Sequence, residues 1–237
     1  MNSVPDDYSH LAANWAAVRE RVDAACHAVG RDPSEVSILP VSKTFGPEAV
    51  RAAMSLGMKR FGENKVQEIR SKAEALAGCD IEWVVIGHLQ TNKARDVARL
   101  ASEVQSLDRL ELAEALHRRL QHEGRRIDVL VEVKTSPEES KQGLPPAQLP
   151  GLLDALRGFD TLRVRGLMTM AVQSEDPGAV RSCFRQLRLL RDEARQQGHD
   201  LPRLSMGMSG DFGLAIAEGA TDIRIGTAIF GVRLKTS

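Results

Sequence analysis

Apolar residues recur at steps of three and four through the first thirty positions. Leu11, Trp15, Val18, Val22, Ala25 and Val29 fall on one helical face, and Gly30 ends it. The pattern predicts a helix over about 7–29. From residue 36 onward, short apolar runs alternate with helical spacing. The runs at 36–41, 58–61, 81–86, 104–107, 127–133, 162–167, 203–206 and Asp222–Ile225 predict strands. Helices are predicted between them, near 47–56, 64–76, 91–101, 109–122, 146–157, 177–196 and 211–218. The clearest is 177–196, where Val180, Phe184, Leu187, Leu190 and Ala194 keep the helical step. Beyond Ile225 only the short segment Thr227–Phe230 remains, a last half-turn.

Strict alternation of strand and helix implies parallel strands joined by helical crossovers. Eight such units in a chain of this length predict a (β/α)8 TIM barrel with an extra N-terminal helix. A doubly wound open sheet is the alternative. No linker or low-complexity run interrupts the pattern, so 1–237 reads as a single domain, with the barrel over about 36–232. One residue fits poorly: Pro40 lies inside the first strand, where it removes a ladder donor, so a bulge or a later strand start is expected. The loop 135–145 is polar and ends in Pro-Pro.

Composition narrows the function. Of 237 residues, 42% are hydrophobic and 27% charged, and Lys plus Arg balances Asp plus Glu at 32 each. A net charge of zero argues against nucleic acid or an anionic membrane as partner. Cys26, Cys79 and Cys183 make no metal-ligand or CxxC spacing and read as reduced thiols. The acidic N-terminus has no signal-peptide pattern, and no stretch approaches the ~20 apolar residues of a spanning helix. Cytoplasm is the expected location.

In a barrel of this kind the site lies at the C-terminal ends of the strands. Those ends carry Ser42-Lys43, Glu63-Asn64, His88, Met168, the segment from Ser205 to Asp211, and Arg224-Ile-Gly226-Thr227. Gly207, Gly210, Gly213 and Gly226 let the backbone approach an anion, and Ser209 and Thr227 add hydroxyl donors. A phosphoryl group is one reading; a pair of Gly-rich turns with helix caps is the other. Lys43, between Val41 and Phe45, is a candidate for partial desolvation and Schiff-base chemistry, or else a surface lysine. A lysine and a phosphate loop in one barrel mouth suggest a phosphorylated aldehyde or ketone: pyridoxal phosphate, or a sugar phosphate in a class I aldolase. Alternation in Asp222-Ile-Arg-Ile225 turns Arg224 into the barrel, either toward a ligand or into an ion pair with Glu132. His88 reads first as a packed or solvent-facing histidine, and Thr91-Asn92-Lys93 as a helix start.

Seven segments in one order resemble the pyridoxal phosphate homeostasis proteins, the YggS-like or proline synthetase co-transcribed family. They are Val41-Ser-Lys-Thr44, Phe61-Gly-Glu-Asn64 with Val66-Gln-Glu68, Ile86-Gly-His-Leu-Gln-Thr-Asn-Lys93, Ser140-Lys-Gln-Gly143, Arg165-Gly-Leu-Met168, Ser205-Met-Gly-Met-Ser209 and Arg224-Ile-Gly-Thr-Ala-Ile-Phe-Gly231. The resemblance implies a barrel like the N-terminal domain of alanine racemase, with pyridoxal 5'-phosphate as cofactor. Lys43 matches the family's Schiff-base lysine, and Ser209, Gly226 and Thr227 match its phosphate-binding positions. Arg224 matches the arginine facing the pyridine nitrogen, and Asn64 a residue beside the ring. Met168 and Ser205, at the ends of their strands, complete the expected cofactor-binding set. Two departures are Lys65, where the family often has an aromatic residue, and Pro40, where it usually has a small apolar one.

The same resemblance implies storage, sequestration or delivery of the cofactor, with apo pyridoxal phosphate enzymes as acceptors, and no catalytic residues. A cationic Arg224 weakens the ring as an electron sink. Racemases of the related fold add a tyrosine from another domain as second base. Here the one tyrosine is Tyr8, ahead of the first strand, and no second domain is expected. A simple amino-acid racemase, a cofactor-free aldolase and an RNA- or protein-binding barrel are the alternatives.

Overall fold

A computed structural model describes residues 8–138 and 141–231. Ser140, Val232 and the start of the predicted first helix at residue 7 lie outside the described residues. The first helix, α1 (His10–His27), buries Leu11, Val18, Val22 and Cys26. Val29 lies beyond its end and is 43% exposed, so the stripe outruns the helix. Gly30 takes a φ of 71°, which favours glycine and turns the chain out of the helix.

The eight strands are β1 (Ser37–Pro40), β2 (Arg60–Glu63), β3 (Glu82–Val85), β4 (Ala101–Leu107), β5 (Ile127–Glu132), β6 (Leu162–Met168), β7 (Arg203–Ser205) and β8 (Asp222–Ile225). They form one sheet in the order β1-β8-β7-β6-β5-β4-β3-β2, with every pair parallel. The bridge between Val41 and Gly62 brings β1 beside β2, and the Ser42 N–H donates to the Gly62 carbonyl at 3.1 Å. The sheet thereby closes, and the expected (β/α)8 barrel is the fold. The crossovers are α2 (Pro47–Met54), α3 (Val66–Ala75), α4 (Ala94–Leu100), α5 (Leu110–Glu123), α6 (Leu149–Leu156), α7 (Pro177–Gln196) and α8 (Phe212–Ala217), followed by the half-turn α9 (Thr227–Phe230). Among the described residues no helix is long and apolar enough to cross a membrane.

Alternation sorts each strand into two faces. Outward residues such as Phe61, Val104, Val129, Val131, Ile223 and Ile225 join the helices in one large core. Leu39, Val41, Val84 and Ile86 make a separate cluster inside the barrel. A Cβ at Gly62 would meet Leu39, Val41 and Ile86 at 3.3 Å, so this side of the interior is filled to the backbone. The opposite side, beneath β4, β7 and β8, is polar.

Two expected strands are displaced. The second runs two residues later than predicted, because Gly62 reads as a breaker yet is needed where the interior is tightest. The fourth begins at Ala101 and not at 104, since Ser102 and Glu103 look like loop residues while Glu103 points into a charged interior. Pro40 is tolerated without a bulge. Val41 N–H bonds to Ile225 on β8 and Ser42 N–H to Gly62 on β2, so the missing donor of Pro40 faces β2, where pairing has not yet begun.

Candidate functional site

The C-terminal strand ends converge on one mouth. Lys43 follows β1, and its segment touches the start of α9, where a Cβ on Gly226 would approach the Val41 carbonyl to 3.2 Å. Asn64 ends β2 and packs its backbone on Gly87, where any Cβ would come within 2.5 Å of the Asn64 carbonyl oxygen. Met168 and Ser205 are register neighbours on β6 and β7, and both are fully buried. Ser209 is half-buried and Thr227 exposed, on loops leaving the adjacent strands β7 and β8.

Arg224 points inward, as alternation predicts. Its guanidinium donates to Ser205 Oγ at 2.7 Å and to the Thr169 carbonyl at 2.8 Å. These bonds, and not an ion pair with Glu132, hold it. Burial depresses its pKa, and the charges of Glu132, Asp211 and Asp222 oppose that. Ser205 Oγ in turn donates to Gln105, and Gln105 donates to Glu103. A directed chain of donors thus runs from the mouth to a carboxylate deep in the barrel. Thr169 is fixed by its own bond to the Val133 carbonyl and its contact with Thr135.

From α1, Arg21 lies 4.9 Å from the Phe212 ring centroid and donates to the Ser209 carbonyl at 3.5 Å. Asn14 donates to the Ile229 carbonyl at 3.0 Å. The N-terminal helix therefore braces both loops expected to hold phosphate. Lys43 itself is exposed, the surface-lysine alternative and not the partly desolvated one. Val41 faces the interior, and Phe45 packs on Phe230 with ring centroids 5.3 Å apart. His88 is also exposed, with Nδ1 3.6 Å from Asp108. Thr91–Lys93 forms a 3-10 turn that leads directly into α4, the helix start expected, without a side-chain cap.

Two buried carboxyls have raised pKa values. Glu132, 2% exposed, is lifted from 4.5 to about 7 by burial and by the Asp108 charge, against the pull of Arg224. Glu63 is lifted to about 7 by burial, against Lys72 and Ser42. A carboxyl whose pKa is higher folded than unfolded stabilises fully below about 4.5, and that stability is lost as pH rises through 7. Stability in urea is therefore expected to fall between pH 5.5 and pH 8. One pH unit of displacement corresponds to about 1.4 kcal/mol, and the Glu132→Gln variant should show a shallower fall. An unchanged slope in Glu132→Gln would remove Glu132 as a source.

Gln105, Thr169, Arg21 and Lys72 escaped the sequence reading. Gln105 had one available signal: alternation in a strand at 104–107 puts it on the face opposite Val104. The others meet the site only through tertiary contacts. Among the described residues no group of three or more His, Cys, Asp or Glu side chains is placed to hold a metal ion.

A closed parallel barrel with a lysine just past its first strand and an arginine inside its last defines a class, that of the alanine racemase barrel. A family model described as "Alanine racemase, N-terminal domain" matches residues 7–234. The pyridoxal phosphate homeostasis protein of Aquifex aeolicus is 44% identical over 217 residues, covering 91% of this chain and 95% of its own. The protein of that name from Pseudomonas aeruginosa is 41% identical, covering 95% and 96%. PipY of Synechococcus elongatus, solved with PLP bound, superposes with a TM-score of 0.84 at 36% identity, covering 93% of this chain and all of its own. The chain belongs to the pyridoxal phosphate homeostasis protein family.

Proposed function

We propose that this protein binds pyridoxal 5'-phosphate at the barrel mouth, as one cytoplasmic cofactor-binding domain, and stores or delivers it without turning over a substrate. The observation that carries the reading is Arg224, buried at the mouth and committed as a donor to Ser205 and Thr169. The donor set fits the group. Lys43 would offer an amine for the aldehyde, Ser209, Thr227 and the Gly226 turn would offer donors for the phosphate, and Arg224 would serve the ring nitrogen. Asn64 and Met168 would line the site about the ring. The family name of the relatives and the cofactor bound in PipY support the assignment.

When bound, pyridoxal phosphate supplies an electron sink for carbanions at an attached substrate. A guanidinium has N–H donors and no acceptor. Arg224 therefore favours an unprotonated ring nitrogen, which weakens that sink. The chain's one tyrosine, Tyr8, precedes α1 with its ring 6.3 Å from that of His10. A weakened sink suits a carrier, and apo pyridoxal phosphate enzymes are its proposed acceptors.

Loaded protein mixed with an apo-transaminase should restore activity faster than its own release of cofactor into buffer allows. Equal rates would sink direct delivery and leave storage. Steady formation of D-alanine or D-serine, lost in Lys43→Ala, would replace the carrier by a racemase.

A further inference from the structure

Lys43 is flanked by two peptide groups, and side chains of one helix hold both. Lys72 Nζ, on α3, donates to the Ser42 carbonyl at 2.7 Å. One turn earlier on the same face, Glu68 accepts the Thr44 N–H at 2.7 Å. The two side chains lie 3.8 Å apart as an i,i+4 pair. Thr44 has a φ of 70°, the one positive φ among the described non-glycine residues. A β-branched residue resists that conformation unless its surroundings impose it.

Beneath the loop the arrangement is costly as packing. Lys72, 4% exposed, donates to Glu63 Oε1 at 2.5 Å, which also accepts Ser42 Oγ at 2.5 Å. Glu63 Oε2 is the one buried side-chain polar atom without a partner among the described residues. A buried ion pair is weak support for stability, and a half-satisfied one weaker still. Its geometric effect is specific, because the Lys72 ammonium is held where it fixes the carbonyl that precedes Lys43. The Lys43 side chain is exposed, so its aim depends on this backbone.

We propose that Glu68 and Lys72 are positioning residues for Lys43, clamping the left-handed turn at Thr44 so that the amine stays directed at the cofactor and release is slow. The proposal rests on Lys43 being the cofactor lysine. Glu68 is the residue to test, since its side chain is 25% exposed and its loss leaves the buried Glu63–Lys72 pair intact.

The experiment measures cofactor release after dilution, followed by absorbance, together with thermal midpoints. It compares wild type with Glu68→Ala, Glu68→Gln and the double variant Glu68→Ala/Thr44→Gly. Losing a hydrogen bond to a charged acceptor should speed release about tenfold or more in Glu68→Ala. Glu68→Gln keeps an acceptor for the Thr44 N–H and should stay near wild type. Glycine at 44 removes the steric cost of the positive φ and should recover part of the loss, which a purely structural role of Glu68 would not predict. Wild-type release in Glu68→Ala, release in Glu68→Gln as fast as in Glu68→Ala, or no recovery in the double variant each overturns the clamp. A wild-type protein that forms no borohydride-sensitive band takes down the cofactor reading and the clamp together. A normal wild-type band with unaltered release in Glu68→Ala takes down the clamp alone.

Discussion

Lys43→Ala is expected to abolish the visible absorbance band that borohydride bleaches in the loaded protein. The side chain is exposed and fills no core position, so its removal should leave folding stability within about 0.5 kcal/mol of wild type. What is lost is the covalent capture of the aldehyde. The proposed phosphate donors and Arg224 remain, so weak binding should persist, reduced at least about a hundredfold, or roughly 2.7 kcal/mol. The two effects separate cleanly: a spectrum recorded before and after borohydride, beside a urea melt of the same sample, reads both. A variant that keeps the bleachable band would move the cofactor to another lysine. A wild type that shows no band after adding pyridoxal phosphate, and is trapped by borohydride only with a sugar phosphate, would make the barrel an aldolase.

The parts of this site that were legible in the sequence are those in which one residue reports its own environment. Ile223 and Ile225 alternate so clearly that Arg224 had to face inward, and β8, α7 and α9 begin and end where their patterns do. Glycines at 207 and 226 read as backbone that can approach an anion; in the structure each packs closely on protein, Gly207 on Phe212 and Ala215 and Gly226 on Val41. What stayed hidden depends on pairs distant in the chain. The role of Glu68 is invisible without the turn at Thr44, twenty-four positions earlier. Arg21 reaches Ser209 across 188 positions, and nothing on its own helix marks it. The polar half of the barrel defeats the apolar-inside rule outright. Ser102 and Glu103 look like loop residues, so the predicted fourth strand begins three residues late. For Lys43 the neighbours leave two alternatives, and the structure decides for the surface lysine, because Val41 and Phe45 turn their side chains away from it into packing of their own.

That polar half should dominate stability. Arg203 binds Glu103 at 2.9 and 3.0 Å and Asp222 at 2.6 and 3.1 Å, and Arg60 binds Glu103 at 2.8 Å. Two cations and two anions balance inside the barrel. Burial lowers the Arg203 pKa, but the bonds to Asp222 and Glu103 outweigh it, and the guanidinium is held charged. Glu103→Leu leaves Arg203 and Arg60, both part-buried, sharing Asp222, with Glu82 3.6 Å from Arg60 on its exposed side. The expected loss is about 3–5 kcal/mol, the range for a buried pair broken on one side. Arg203→Leu together with Glu103→Leu removes charge in balance, and Arg60 still lies 3.9 Å from Asp222. The double variant should therefore be more stable than Glu103→Leu alone, and urea midpoints of the three proteins decide it. A double variant no better than the single one would mean that packing, and not charge balance, sets the cost. The same substitution should reach the cofactor. Glu103 orients the Gln105 amide, Gln105 orients Ser205, and Ser205 holds Arg224. Loss of the carboxylate frees Gln105 to rotate and loosens the Arg224 guanidinium, which is proposed to serve the ring nitrogen. The band of loaded Glu103→Leu should accordingly shift or broaden even where the protein remains fully folded.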